Sequence, residues 1–469
     1  MRHKSLSILV VLLGVVITPR AQTFEDLVTF DDSNGANPGS TRLTQGPDGN
    51  LYGITGSGGA YNYGTAFQMT PTGELTTIHN FDFTDGEGPN TTLVLANDGW
   101  TFYGTTATGG TVSPFAGTIF KMDPQGEPFT LHNFCELPLC ADGDLPSGAL
   151  IQATDENLYG TTIAGGTKNA GTIYTISPFG VFSILYNFCS EKNCADGSSP
   201  SAGVIQGMDG NFYGTTPVGG IHRYGTAYKI TPAGILTVLH TFCSEVHCID
   251  GAYPYGGLVQ GPDGNLYGTT YGGGIEYGTI YRITPSGDFA VIHNFSGIEG
   301  YYTYAGLMKA TDGNFYGTAS HGGSYSSGSV FKVSPEGKLT ILHNFDFYDG
   351  RYPKGGLVQA TNGTFYGTTS SGGDNGLEVG VIFSLSTGLG PFVETVPTSG
   401  HVGTQVYILG TNLTDTTKIS FNGTLAQGFR VISPTELVTP VPPGAKTGSV
   451  EVTTPSVILK SNVAFQVIP

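Results

Sequence analysis

Tryptophan and charge are what this chain has least of. Trp100 is the single Trp in 469 residues, and 12% of the residues are charged. One Trp excludes any repeat architecture built on a recurrent Trp. Low charge beside 11% aromatic content is the reverse of a disordered composition. Basic residues are the scarcer sign, 19 Lys and Arg against 36 Asp and Glu, for a net charge of -17. Such a surface repels phosphate backbones, so no nucleic-acid partner is expected, and docking on a membrane through a basic patch is disfavoured on the same ground. No segment sustains a helical apolar period, which argues against a helical bundle.

Glycine and proline are abundant instead, 73 and 27 residues, about a fifth of the chain. That is high for a globular protein and short of the level that signals disorder. The length leaves room for two or three domains. A turn-rich, mostly β protein with a real core follows.

The N-terminus reads "MRHKSLSILVVLLGVVITPRAQTF". Arg2 and Lys4 form a basic head, Ile8 to Ile17 an apolar run, and Ala21 precedes a polar stretch. This pattern is that of a secretory signal peptide over residues 1–21, too short to span a bilayer. Cleavage is expected after Ala21, although Pro19 suits the position before the cut poorly. No later run has spanning length, so no membrane span is expected. Loss of residues 1–21 leaves a net charge of -20.

A repeat dominates the rest. The Tyr of a recurring "[LF]YG" falls at Tyr52, Tyr103, Tyr159, Tyr213, Tyr267, Tyr316 and Tyr366, with spacings of 51, 56, 54, 54, 49 and 50. The unit "GGLVQGPDGNLYGTTYGGGIEYGTIYRITPSGDFAVIHNF" holds four strand-like runs: "GLVQG", "NLYGTT", "GTIYRIT" and "FAVIHNF". Asp-Gly between the first two is a strong hairpin signal. Four short strands per unit of this period predict a β-propeller blade. The last unit stops after its third strand, and "LVTFDDSNGANPG" near the N-terminus aligns without gaps on "LHNFDFYDGRYPK". The expected fold is therefore all-β, a seven-bladed β-propeller over residues 22–388 closed by an N-terminal strand.

These "YGTT…GG…GT[IA][FY]…P.G…LHNF…DG..P" units resemble the GloVer tandem-repeat family of exported bacterial proteins, over about residues 24 to 386. The resemblance implies an extracellular repeat domain, with no general activity attached. Kelch blades also carry Gly-Gly but repeat a Trp, so Kelch is rejected. From Pro391 the character changes. "GTQVYILGTNL", "ISFNGT" and "VPPGAKTGSVEVTTP" look like an IPT/TIG domain, an immunoglobulin-like β-sandwich over residues 391–469. Alternating apolar residues in "TQVYILG" and "GSVEVTT" support a sandwich independently. "TTPSVILKSN" stands where a Gly-rich turn is expected, which puts the last hairpin in question.

Three cysteine pairs, Cys135/Cys140, Cys189/Cys194 and Cys243/Cys248, lie in the same loop of three successive units. Zinc sites commonly use two-residue spacers and need four ligands, whereas each pair supplies two and the pairs lie in separate units; four intervening residues is not the Cys-x-x-Cys redox spacing, and an even count in an exported chain favours local disulfides. Each is worth roughly 2 kcal/mol in the chain-entropy account. Zinc or redox chemistry is the alternative. His79, His132, His240, His293 and His343 recur in "LHNF" and read as half-buried strand residues, because catalytic groups are rarely copied into every blade. Asn34, Asp85, Asp142, Asp196, Asp250, Glu299 and Asp349 precede Gly at the end of one loop in all seven units and read as turn caps. No cofactor is expected. Calcium is the sharper reading of these carboxylates, but no Asp-x-Asp-x-Asp-Gly run is present.

Residues that differ between units point to function. Tyr253, Tyr255, Tyr301, Tyr302, Tyr304, Arg351 and Tyr352, with His222, Arg223, Tyr224 and His321, fall in the long loops of the later units. Tyr271, Tyr277, Tyr325 and Lys354 join them. Tyr offers a flat apolar ring and a hydroxyl, suited to a sugar or a partner protein, while loop packing is the plain alternative. The leading expectation is a secreted or cell-surface binding protein, monomeric, with a glycan or protein partner. A polysaccharide lyase using His222 and His321 with Glu276 or Asp374, and a structural surface-layer component, remain open. No catalytic residue is assigned.

Overall fold

The computed structural model describes residues 22–112, 116–374 and 376–468, so the expected signal peptide lies outside the described residues. Seven antiparallel sheets follow one another, then a two-sheet sandwich. Sheet four is representative: Ile205–Gln206, Phe212–Thr216, Thr226–Ile230 and Leu236–Thr241, in that order. Sheets one, two, three, five and six open at Thr44, Val94, Ile151, Val259 and Met308. Sheets two and three add a fifth short strand, Glu87–Pro89 and Asp144–Pro146. No α-helix occurs among the described residues. In sheet seven, Val358–Gln359, Phe365–Thr368 and Val381–Ser386 are joined by Thr23–Thr29. The register sets Thr23 opposite Ser386, Asp26 opposite Phe383 and Thr29 opposite Val381.

The repeat Tyr explains why the units stack. Its ring is buried at the start of each second strand, and in four units it meets the corresponding aromatic of the next sheet. Tyr52 lies 4.5 Å from Phe102, Tyr159 4.2 Å from Phe212, Tyr267 4.3 Å from Phe315 and Tyr316 4.3 Å from Phe365. In four units its hydroxyl donates to the Asp of the preceding Asp-Gly turn, as Tyr213 does to Asp209 at 2.7 Å, and Tyr159 does the same to Asp155 of an Asp-Glu turn. One side chain thus fixes the turn and the spacing to the neighbour. The following Gly is required by close packing: a Cβ on Gly214 would sit 2.4 Å from the Tyr228 hydroxyl.

Seven apolar clusters lie between consecutive sheets, and the one containing Phe30, Leu43 and Ile382 joins sheet seven to sheet one. Burying a large apolar side chain contributes about 1.5–3 kcal/mol, so these clusters are the main favourable term. A glutamine on the innermost strand adds a polar clasp. Gln152 accepts from Asn97 N–H, Gln206 from Thr154, Gln260 from Met208, Gln359 from Thr311, and Gln45 from Thr361 on sheet seven, at 2.7–3.0 Å. Leu95 and Lys309 replace it in sheets two and six.

The sandwich sets Glu394–Val396, Gln405–Leu409, Glu436–Pro440 and Arg430–Ser433 against Lys418–Phe421, Thr424–Leu425, Val450–Thr453 and Ile458–Lys460 around Val406, Ile408, Leu437 and Val452. The questioned last hairpin forms, with Val452 opposite Leu459. The domain rests on the Asp-Gly turn side of the sheets. Thr435 donates to Pro47 O at 2.8 Å, Phe392 N–H to Thr361 O at 2.9 Å, and Tyr407 packs on Gly99.

The phenols of Tyr174, Tyr228 and Tyr281 are fully buried without a hydrogen-bond partner, where sheets one, two, six and seven carry Phe. An unpaired buried hydroxyl is costly, so Tyr228→Phe is expected to stabilise the fold by about 1 kcal/mol in denaturant titration. Asp26 on the N-terminal strand is pushed up to about 6 by burial, then by the Asp374 and Asp349 carboxylates. The folded state holds this proton more tightly than the unfolded chain. Its stabilising contribution is complete below the ordinary value and is lost as pH rises through about 6. Asp26→Asn should therefore raise the melting temperature at about pH 8, with the gain vanishing near about pH 4.

Candidate ligand-binding face

The long loops leading from one sheet to the next share one backbone feature. A left-handed residue occurs in all seven: Asn37, Gly88, Leu145, Ser199, Tyr253, Tyr302 and Tyr352, with φ of 56, 59, 57, 55, 58, 61 and 55°. The loop path demands this conformation. Gly adopts it freely and Asn with little penalty, whereas for a bulky side chain it costs about 1–2 kcal/mol. Three consecutive loops place Tyr there.

These tyrosines form one connected aromatic surface. Tyr271 stacks on Tyr302 at 4.1 Å with planes 3° apart, and meets Tyr304 at 5.2 Å and Tyr255 at 5.5 Å. Tyr302 continues to His321 at 5.4 Å, which stacks on Tyr352 at 4.5 Å. Tyr301 touches Tyr277, Tyr302 and His321. Tyr253 reaches Tyr224 at 5.2 Å. Most of these rings are half-buried, with faces or edges open to water. Burial, followed by the hydrogen bond its hydroxyl donates to Tyr304, pushes the Tyr271 phenol up, and burial raises Tyr255 as well. Burial, then Lys354 and Arg351, holds His321 below its usual value, and its Nδ1 lies 2.8 Å from Ser320 Oγ.

A rim residue follows the loop proline or its counterpart. Ser147 Oγ donates to Ser201 O at 2.9 Å and Ser201 Oγ contacts Tyr255 O at 3.4 Å. Tyr255 meets Tyr304 at 5.8 Å, and Lys354 lies over Tyr304 at 5.6 Å. The adjoining glycines permit close approach of neighbouring inner strands: a Cβ on Gly203 would lie 2.1 Å from Ala149 O. The serines went unnoticed in the sequence because small polar residues in loops carry no signal, although their fixed offset from the proline was available.

Of the predicted residues, the structure unites Tyr255, Tyr271, Tyr301, Tyr302, Tyr304, His321, Arg351, Tyr352 and Lys354. Tyr224 and Tyr253 flank this set, while His222, Arg223 and Tyr325 stand exposed on neighbouring loops. No three His, Cys, Asp or Glu side chains gather as metal ligands among the described residues, and His321 is ringed by tyrosines rather than paired with His222 and an acid.

Two motifs read separately in the sequence are one. The strand His and the loop carboxylate pair within each unit: His79–Asp85 at 2.6 Å, His132–Asp142 at 3.3 Å, His240–Asp250 at 3.1 Å, His293–Glu299 at 3.2 Å and His343–Asp349 at 2.7 Å. Tyr186 replaces His and donates to Asp196 at 2.9 Å. The carboxylates also cap backbone N–H groups, as Asp196 does for Ser190 and Glu191. Several imidazoles stack on the next sheet's outer strand, His240 on Phe289 at 3.8 Å and His343 on Phe24 at 3.6 Å.

The three expected disulfides, Cys135–Cys140, Cys189–Cys194 and Cys243–Cys248, are present, and they cover Asp142, Asp196 and Asp250. The second cysteine of each pair also has a backbone role. Cys140, Cys194 and Cys248 each end a short 3₁₀ turn, Pro138–Cys140, Lys192–Cys194 and Val246–Cys248, with φ of 51, 55 and 54°. That left-handed turn aims each carbonyl at two glycine N–H groups. Cys140 O accepts from Gly143 and Gly166 at 2.9 Å, and Cys194 O from Gly197 at 3.0 Å and Gly220 at 2.8 Å. Cys248 O accepts likewise from Gly251 and Gly274. The stapled loop is thereby tied to the loop between the second and third strands of the next sheet. Backbone bonds over that span leave no mark in the cysteine spacing.

The opposite end of the inner strands is occupied. A cavity of about 280 Å³ is walled by Arg42, Gln45, Leu95 and Gln152 and floored by Glu394 to Thr398 of the sandwich. The surrounding protein holds Arg42 down and pushes Glu394 up, and the opposite charges partly offset both effects.

The family model of the Gloeobacter/Verrucomicrobia repeat matches residues 14–195, 116–313, 190–383 and 303–428, and that of the IPT/TIG domain matches residues 391–467. No curated protein matches. Among solved structures, virginiamycin B lyase from Staphylococcus aureus superposes with a TM-score of 0.52 at 13% identity, over 78% of this chain and 99% of that one. That likeness is one of fold. A puromycin-hydrolyzing peptidase of Mycobacterium tuberculosis aligns with a TM-score of 0.35 at 9% identity, over 74% of this chain and 61% of that one.

Proposed function

We propose that this chain, which belongs to the Gloeobacter/Verrucomicrobia repeat family, is an exported binding protein: a closed seven-bladed propeller that holds an extracellular carbohydrate on the long-loop face of sheets five to seven. The observation that carries this reading is the left-handed backbone at Tyr253, Tyr302 and Tyr352. The same position elsewhere holds Asn37, Gly88, Leu145 and Ser199, so three successive tyrosines there set aromatic rings, rather than small or aliphatic side chains, on one side of the face. The tyrosines it presents are held by ring contacts and remain partly exposed, and Tyr combines a flat apolar ring with a hydroxyl, the combination on which a sugar ring stacks.

Three further features support the reading. The sandwich rests on the turn side, which leaves the aromatic face free. Three disulfides suit an oxidising compartment. Closure is supported by contacts between the last and first units, Gln45 with Thr361 at 2.8 Å, and between the N-terminal strand and sheet six, Phe24 with His343.

Closure is tested by removing residues 22–31 from the mature chain. The melting temperature should fall by many degrees, and an unchanged value rejects the closed ring. Binding is tested on a glycan array with the mature protein beside Tyr302→Ala and Tyr255→Ala. Signal on a defined glycan, lost in both variants while their circular dichroism is unchanged, is the expected result. A blank array rejects the carbohydrate reading and transfers the face to a protein partner.

A further inference from the structure

Cations are scarce in this chain, and two of them lie against rings of the aromatic surface. Arg351 lies over Tyr352 at 4.2 Å and Phe347 at 5.8 Å, and its Nη2 donates to the Tyr352 hydroxyl. Lys354 lies over Tyr304 at 5.6 Å. Both bear on His321, which sits between them in the aromatic run. Among the described residues the one Lys or Arg in ion-pair contact with a carboxylate is Lys460, with Glu451, on the sandwich. Arg351 and Lys354 are therefore half-buried cations without a carboxylate partner, held by rings and, for Arg351, by the Tyr352 hydroxyl, in a chain with 36 acidic residues. A ring face attracts a cation but does not supply the oxygen acceptors its N–H groups require.

We propose that the ligand of this face is a uronate oligosaccharide: sugar rings stack on Tyr302, Tyr271 and Tyr304, and carboxylates reach Arg351 and Lys354. The carboxylate supplies the missing acceptors, and the planar Arg fork is suited to it. A neutral glycan leaves both cations as they are, and an acidic peptide leaves the flat stacked rings without a flat partner. This assignment rests on the carbohydrate reading above and specifies its charge.

The test is calorimetric titration of the full mature chain with oligomers of galacturonate, glucuronate and mannuronate, each beside its methyl ester. The ester keeps the ring and removes the charge. One acid form should bind about ten- to a hundredfold more tightly than its ester, as charged hydrogen bonds imply. Arg351→Gln and Lys354→Gln should each reduce that ratio toward one, read as acid against ester on the same variant. Equal affinity for acid and ester overturns the uronate assignment and leaves a carbohydrate face standing. No binding of any oligomer, with a neutral glycan positive on the array, overturns the uronate alone. A blank array as well overturns both. Binding of poly-glutamate in place of all sugars assigns the cations to an acidic protein and overturns the proposal.

Discussion

Everything in this molecule depends on the contact between one sheet and the next. No single sheet here has the means to stand alone: its innermost strand is two residues long in every unit, and its core is shared with a neighbour. The repeat Tyr makes the contact specific. In most units its ring packs against the next sheet while its hydroxyl ties back to the Asp of the preceding turn, so one side chain links the spacing between sheets to the shape of the hairpin. The inner Gln and the outer His repeat the same logic at other radii, each bonding within its own unit and touching an adjacent one.

A scaffold tied at three depths leaves the long loops free to vary, and they vary in an ordered way. The loops after sheets two, three and four carry a disulfide over a buried Asp. The loops after sheets five and six carry no disulfide, and place Tyr302 and Tyr352 in the left-handed position. The loop after sheet four has both, Cys243–Cys248 and Tyr253, and stands at the boundary. Half of the molecule is stapled and half presents aromatics. The sandwich meanwhile closes the far end of the inner strands with Glu394 set near Arg42. The variable positions are therefore concentrated on one side of a rigid face.

Some of this was open to reading from the residues. The "[LF]YG" period and the Asp-Gly turns gave the strands, and the alignment of Leu27 with Leu342 gave the pairing of Thr23–Thr29 with Val381–Ser386. The cysteine spacing gave the disulfides, but not the bonds by which Cys140 and Cys194 tie their loops to Gly166 and Gly220 of the next sheet. The coupling of His240 to Asp250 was hidden because the two are ten residues apart and each has an ordinary reading of its own. His222 and His321, both outside the repeat, looked alike, yet one is exposed and the other is enclosed by three tyrosines. Arg351 looked like one loop residue among many, since nothing in a sequence states that a cation lacks a carboxylate.

The repeating unit is written in the residues themselves. Short-range chemistry does this work: positive φ at Asp-Gly, alternation along five-residue strands and closure of a six-residue loop by two cysteines all act within a few positions. Which residues from different units meet is settled by packing alone. Tyr271 and Tyr302 become parallel neighbours at 4.1 Å although two strands, Thr279–Ile283 and Phe289–Asn294, and a long loop separate them in the chain. Lys354 comes to lie over Tyr304, and the sandwich settles on the turn side rather than the loop side. Those encounters depend on the angle and distance between packed sheets, which the shared cores set together and no local pattern encodes.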